Sequence, residues 1–234
     1  MNRFLKRAWA EIDLDALEHN YNEIKKLAKG KDILAVVKAN AYGHDDKAVC
    51  LKLQELGVKY YGVSNLWEGE KLRCHGITGT ILTFGYTDED YFDELLEYGI
   101  TQTAGSVQYA KQLSDYAVSK GVKLPVHIKV NTGMTRVGID SQQEMLDILA
   151  MLGLDCKAAY THFAAADSLD PSDVEYTDRQ QEKLMKIAKD KGLLIHSQNS
   201  GGIIYHGDFG GDIVRAGVIP VSYTHLRAHE TLMN

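Results

Sequence analysis

The chain has 234 residues, 44% of them apolar and 25% charged, with a formal net charge of −6. That is enough apolar material for the core of one large domain, and the acidic balance argues against nucleic acid or an anionic membrane as the main partner, since both select basic surfaces. No apolar run approaches the roughly 18 residues of a membrane span, and the opening MNRFLKRAWAEIDLD is broken by charge too often for a secretory leader, so a cytoplasmic protein is expected.

Residues 9–13, WAEID, alternate like a strand but precede the first helix. Asp15 is the expected start of that helix, with Leu17, Tyr21, Ile24 and Leu27 along one face. From there one pattern recurs: a helical stretch ends at a lone glycine, and a short β-rich run follows. Gly30 leads to ILAVVK, Gly57 to KYYGVS, Gly76 to TILTF and Gly99 to ITQTAG. Gly121 leads to PVHIKVN, Gly153 to KAAYTHF and Gly192 to LLIHSQN. Thr87 with Asp90, and Ser106, are expected helix caps, while Ser141 with Glu144 spells a capping box before MLDILAML. An eighth run, DIVRAG at 212–217, follows a shorter glycine-rich connection.

Eight mostly apolar runs alternating with helices predict an α/β protein, a (β/α)8 TIM barrel. An open doubly wound sheet is the competing arrangement, but no GxGxxG follows the first strand. The last stretch, VSYTHLRAHETLMN, has no helical face. The barrel is therefore expected to be incomplete at its C-terminal end, without an eighth helix and with apolar surface around its first and eighth strands. The three cysteines, Cys50, Cys74 and Cys156, lie far apart without metal-type spacing, so reduced structural thiols and no bound metal are expected.

Function in such a barrel gathers at the C-terminal ends of the strands. Those ends carry Lys38, Arg136, His162, the Asn199-Ser200-Gly201 loop and Arg215. A lysine after an apolar strand is usually just an amine that reaches solvent. Held in a dry barrel mouth, it has a lowered pKa and can form a Schiff base. The loop SQNSGG, with Gly217 after the eighth strand, offers the hydroxyl, amide and close backbone of a barrel phosphate site, although Ser-Gly-Gly alone is ordinarily a turn. Arg215 sits inside a strand and requires a partner, either a carboxylate on a neighbouring strand or a heterocyclic nitrogen. His162, in YTHFAAAD, taken alone reads as a satisfied core histidine. Lysine and phosphate cradle on opposite sides of one mouth point to a phosphorylated aldehyde cofactor.

The motifs AVVKANAYGHD, KVNTGMTRVGI, YTHFAAAD, HSQNSGG and DIVRAGVI, in this order, resemble the pyridoxal-phosphate-dependent alanine racemases across residues 8–219. The resemblance implies that Lys38 is the Schiff-base lysine and one of two catalytic bases. It implies Tyr42, Ser200 and the backbone near Gly217 at the phosphate, with Asn199 beside them. Arg136 is implied at the cofactor's phenolic oxygen, Arg215 at its pyridine nitrogen, and His162 near the ring in support of Arg215. Lys129 falls where some members are carbamylated.

The same resemblance implies interconversion of L- and D-alanine for cell-wall precursors. It further implies a homodimer whose opposing tyrosine base comes from a β-rich domain after the barrel. On this reading residues 1–13 are a strand that packs on that domain, 14–219 are the barrel, and 220–234 are a non-native tail resembling translated sequencing adapter. Tyr223 is then not the opposing base. With the β domain absent, the chain is expected to bind pyridoxal phosphate and to racemise alanine poorly. The alternatives are a serine or broader amino-acid racemase and a single-domain, non-catalytic carrier of pyridoxal phosphate. A barrel decarboxylase of the ornithine type conflicts with Arg215, because those enzymes place a carboxylate at the pyridine nitrogen.

Overall fold

A computed structural model describes residues 11–217. The tail at 220–234 and most of the strand expected at 9–13 lie outside the described residues, and residues 11–13 are not strand. Eight parallel strands close on themselves in chain order: β1 (Asp32–Val36), β2 (Tyr60–Val63), β3 (Thr80–Thr83), β4 (Ile100–Ala104), β5 (Leu124–Lys129), β6 (Leu154–Tyr160), β7 (Leu194–His196) and β8 (Ile213–Ala216). Closure is made by β8 against β1, with Asp32 opposite Ile213 and Ala35 opposite Ala216. The barrel expected from the glycine-punctuated repeat is therefore the fold.

Helices form the outer ring. They are α1 (Leu14–Leu27), α2 (Lys38–Gly43), α3 (Asp46–Glu55), α4 (Leu66–Cys74), α5 (Phe92–Glu97), α6 (Val107–Ser119), α7 (Gln142–Leu149), α8 (Pro171–Ala188) and α9 (Ser200–Tyr205). The expected glycine-rich connection before β8 is thus partly helical. None of the described helices is long and apolar enough to cross a membrane.

Alternation along the strands divides the barrel into two environments. Outward-facing Ile33, Ala35, Val214 and Ala216 join the main apolar cluster beneath the helices. Inward-facing Leu34, Leu82 and Ile213 form a smaller cluster inside the barrel, with Val36, Tyr60 and Phe84 against it. Nearer the strands' C-terminal ends the interior turns polar, with Thr103, His127, Tyr160, His196 and Arg215 all buried.

The expected bare surface around β1 and β8 is not found. Helix α1 lies there, touching α9 on one side and α3 on the other. Its Leu17, Tyr21 and Ile24 are buried in the same cluster as Val214 and Ala216. Leu17 and Ile24 each contribute roughly 1.5–3 kcal/mol by leaving water. A helix that precedes the first strand therefore occupies the place of one that follows the last.

Cap chemistry agrees with the sequence in part. Ser106 caps α6 and Ser141 with Glu144 forms a complete capping box on α7. Helix α1 is capped by Asp13 rather than Asp15, because the Asp13 carboxylate reaches the Asp15 and Ala16 amides. Asp88, not Thr87, caps the short 3-10 turn Glu89–Tyr91. The Thr87 hydroxyl is instead buried, donating to Gln102 Oε1 across 2.8 Å. Gly153 ends no helix in left-handed geometry. It is glycine because a Cβ there meets the Ser114 carbonyl oxygen at 2.2 Å. Cys50, Cys74 and Cys156 are all free thiols, and Cys50 is buried.

Candidate active site

The C-terminal ends of the strands surround a cavity of about 710 Å³. Lys38, Tyr42, Arg136, His162, Asn199, Ser200, Arg215 and Gly217 all border it, so the structure brings together every residue nominated from the sequence. Lys129 and Tyr160 border it as well. Four basic side chains face this space, and Asp167 is the one carboxylate among its described lining residues. An anionic ligand is what such a lining stabilises.

β1 stops at Val36, and Lys38 follows two residues later with its side chain exposed at the cavity rim. The expected burial of this amine by its apolar strand is not seen. The reason is α2, a turn of the opposite hand: Ala39, Asn40, Ala41 and Tyr42 all have φ between 52° and 57°. A left-handed turn costs roughly 1–2 kcal/mol per non-glycine residue, so these four positions need external support. The Asn40 side-chain oxygen accepts from the Asp46 amide (3.1 Å) and from Lys71 Nζ (3.3 Å). Lys71 also pairs with the buried Asp46 carboxylate at 2.9 Å. His44 Nδ1 lies 3.1 Å from both the Ala41 and Tyr42 carbonyl oxygens and donates to that pair.

The turn sends Tyr42 across the rim to the end of β8. A Cβ on Gly217 sits only 2.7 Å from the Tyr42 hydroxyl, so glycine is required for this approach. Burial raises the pKa of that hydroxyl, which keeps it a proton donor. The Gly217 amide donates to Ser200 Oγ across 3.2 Å. Tyr42, Ser200 and Gly217 thus converge at one end of the cavity. Asn199 borders the same end, but its side chain is engaged in the fold: its oxygen caps α9 at the Gly202 amide, 2.9 Å away.

Arg215, two residues before Gly217 on β8, is 3% exposed and has no carboxylate partner among the described residues. Its guanidinium donates instead to the carbonyl oxygens of Thr161 (2.6 Å), His196 (2.8 Å) and Ser197 (2.9 Å). It also lies 3.2 Å from His196 Nδ1 and 3.5 Å from His162 Nδ1. Burial lowers its pKa only to about 10, so it stays charged at neutral pH. His162 is held to about 3, chiefly by burial and then by Arg215, so its ring is neutral.

The buried amine of this site is Lys129, not Lys38. Lys129 is 7% exposed, and burial, then Arg215 and Arg136, pushes its pKa well below the usual lysine range. Its Nζ lies 4.9 Å from the Tyr160 ring centre. Tyr160 stacks on His196 at 4.7 Å and its hydroxyl bonds Thr103 at 2.8 Å. Tyr160 and the His127–His196 pair were not singled out from the sequence. Their only sign is that KAAY, LPVHIK and LIH place polar rings at inward positions of strands β6, β5 and β7.

Arg136 is exposed on the loop after β5. That loop is shaped by Asn131, whose side-chain oxygen accepts from the Gly133 and Thr135 amides while Thr135 adopts φ 54°. Gln180 of α8 fastens it to its neighbour, bonding Thr132 Oγ1, the His162 carbonyl and the Ala164 amide.

Comparison with known proteins places this geometry in a family. The family described as "Alanine racemase, N-terminal domain" matches residues 12–224. An alanine racemase of Clostridium perfringens is 38% identical over 233 residues, covering 95% of this chain and 60% of that protein. Among solved structures, alanine racemase of Clostridium difficile 630 superposes with a TM-score of 0.86 at 34% identity, over 93% of this chain and 59% of that one. A histidine racemase from Leuconostoc mesenteroides superposes with a TM-score of 0.83 at 26% identity, over 91% and 59%. The chain thus spans about 60% of the length of the curated relatives it matches.

Proposed function

We propose, from the premise that this chain belongs to the alanine racemase N-terminal domain family, that it is the cofactor-binding barrel of a pyridoxal-phosphate-dependent amino-acid racemase acting on alanine. One observation carries the reading. A lysine at the rim, a hydroxyl-and-amide cradle at Tyr42, Ser200 and Gly217, and a buried arginine without a carboxylate border one cationic cavity.

The residues present fit pyridoxal phosphate. The cavity has the volume for a drug-sized ligand, a surplus of cations for a dianionic phosphate and a phenolate, and a primary amine with freedom to move. When bound, pyridoxal phosphate supplies an electron sink for the negative charge that develops at an amino acid's α-carbon. Lys38 holds the cofactor covalently and moves the α-proton on one face. Tyr42 and Ser200 would hold the phosphate, Arg136 would face the phenolic oxygen, and His162 would lie beside the ring. Arg215 would face the pyridine nitrogen and would keep its own proton there, since its pKa remains near 10 even after burial. A donor of that kind would leave the electron sink that the cofactor supplies a weak one.

Racemisation requires a second base on the opposite face. The resemblance to the family puts a tyrosine in that role, outside the barrel and across a homodimer. The described barrel is accordingly proposed to hold the cofactor and the first of the two bases. The relatives and structures matched are racemases, which favours neither the single-domain carrier nor the decarboxylase reading.

The test is reductive trapping with borohydride in the presence of pyridoxal phosphate, followed by peptide mapping. Label on Lys38 is expected, and Lys38→Arg abolishes it. Label distributed over surface lysines, or concentrated on Lys129, overturns the assignment.

A further inference from the structure

Glu68 occupies the third position of helix α4, where a glutamate normally folds back onto the amide of its own cap residue. Here the cap, Asn65, does its part by accepting from the Glu68 amide at 3.1 Å. The Glu68 carboxylate goes elsewhere. One oxygen accepts from the Ser64 amide at 2.7 Å, just past the end of β2, and the other from the Ala39 amide at 2.9 Å, just past the end of β1. Ala39 is the first left-handed residue of α2 and the residue directly after Lys38. Ser64 itself borders the cavity.

We propose that Glu68 is a positioning residue: its carboxylate clips the Ala39 and Ser64 amides together, and so holds the left-handed turn that presents Lys38 and Tyr42 to the cavity. A hydrogen bond to an ionised carboxylate is stronger than a neutral one, and two of them on one group lock its rotamer. The remaining supports, Asn40, Asp46 and Lys71, hold the middle and far end of the turn. Glu68 alone among these fixes its first residue, where the direction of Lys38 is set. A turn released at this point can relax towards right-handed geometry, swinging Tyr42 away from Gly217. The inference rests on Lys38 being the covalent anchor.

The experiment compares this chain with Glu68→Ala and Glu68→Gln in two readouts. The first, amide hydrogen exchange without cofactor, reads the clip directly. Ala39, Ser64 and the 40–42 amides are expected to exchange about tenfold faster or more in Glu68→Ala, with the amides of α6 unchanged. The second is the rate of borohydride trapping of pyridoxal phosphate at Lys38. It is expected to fall roughly tenfold in Glu68→Ala at unchanged melting temperature, since a residue that only stabilised the fold moves the melting temperature instead. Glu68→Gln keeps one oxygen acceptor and is expected to recover part of both effects; if Glu68→Ala does not fold, this variant carries the test. Unchanged exchange at Ala39 overturns the inference, as does unchanged trapping at Lys38. Trapping that misses Lys38 in the unsubstituted chain overturns the anchor assignment instead, and the exchange readout then decides the clip by itself.

Discussion

Arg215 donates from Nη1 to Nδ1 of His196 across 3.2 Å, which fixes the tautomer of a buried ring. Arginine offers no acceptor, so His196 Nδ1 carries no proton and Nε2 does. That proton points at His127 Nδ1, 3.1 Å away. Two neutral histidines thus stand in series behind a charged guanidinium, with backbone carbonyls in place of a counter-ion. Arg215→Met keeps the apolar volume but orphans the Thr161 and Ser197 carbonyls, while the His196 carbonyl keeps the Thr161 amide at 3.3 Å. Each unsatisfied buried group costs about 1–3 kcal/mol, so a loss of roughly 2–5 kcal/mol is expected in urea unfolding. A change below about 1 kcal/mol contradicts this account of how the arginine is accommodated.

The same cluster sets the acid limb of stability. Burial holds His127 to about 4 and His162 to about 3, and pushes His196 well below its usual range. All three are neutral when folded and take up protons near pH 6.5 when unfolded. The unfolded chain therefore binds more protons below pH 6.5, and stability falls as pH drops from 6.5 towards 4. Each group contributes a slope of at most about 1.4 kcal/mol per pH unit in that window. His127→Phe should flatten the slope measured by denaturant titration between pH 6 and 4. An unchanged slope would mean that His127 takes up its proton within the fold.

Gly217 and Tyr42 offer a two-residue test of the cradle. A methyl group on Gly217 meets the Tyr42 hydroxyl at 2.7 Å, so Gly217→Ala should displace the ring and weaken pyridoxal phosphate binding about tenfold. Tyr42→Phe removes the obstruction together with the phosphate donor. The double variant should then lose less than the two single losses combined, with a coupling of about 1 kcal/mol. Strict additivity in equilibrium titration would show that the two residues do not share the site.

Arg73 makes the complementary prediction at the far end of the barrel. It donates to the carbonyls of Ile77, Gly79, Tyr98 and Gly99, tying together the loops that enter β3 and β4. Arg73→Ala should cost roughly 2–3 kcal/mol of stability, and Arg73→Lys should recover little, because an ammonium cannot reach four divergent oxygens. Borohydride trapping at Lys38 should be unaffected in both. A trapping defect would reveal coupling along the strands.

The barrel was legible because glycine-terminated helices and apolar strands repeat with a regular beat, and because eight chemically marked positions fall at strand ends. What was not legible depends on contacts between distant residues. Nothing in ANAY announces four left-handed residues, since their hand is supported by His44, Asp46 and Lys71 from outside the turn, the last two through the Asn40 side chain. That Lys129 rather than Lys38 is the buried amine was hidden for the same reason. Which amine is dry depends on how far each strand runs before it ends, and β5 runs to Lys129 whereas β1 stops short of Lys38. The partner of Arg215 could not be read from its neighbours, because it is carbonyl oxygen from strand ends on β6 and β7 rather than any side chain of opposite charge.

Helix α1 lying over β8 and β1 makes this fold a circle whose seam joins segments that leave the ribosome far apart in time. β1 and α1 emerge first, yet their partners at Ile213–Ala216 come only after six other strands. Until then the edge of β1 and the underside of α1 face water in a growing, unclosed sheet. Loop closure over such a separation is slow, and an open apolar edge is prone to pair with the wrong chain. The seam is therefore the last part of the barrel to form and the first place where crowding, chaperone supply or translation speed would decide between folding and aggregation.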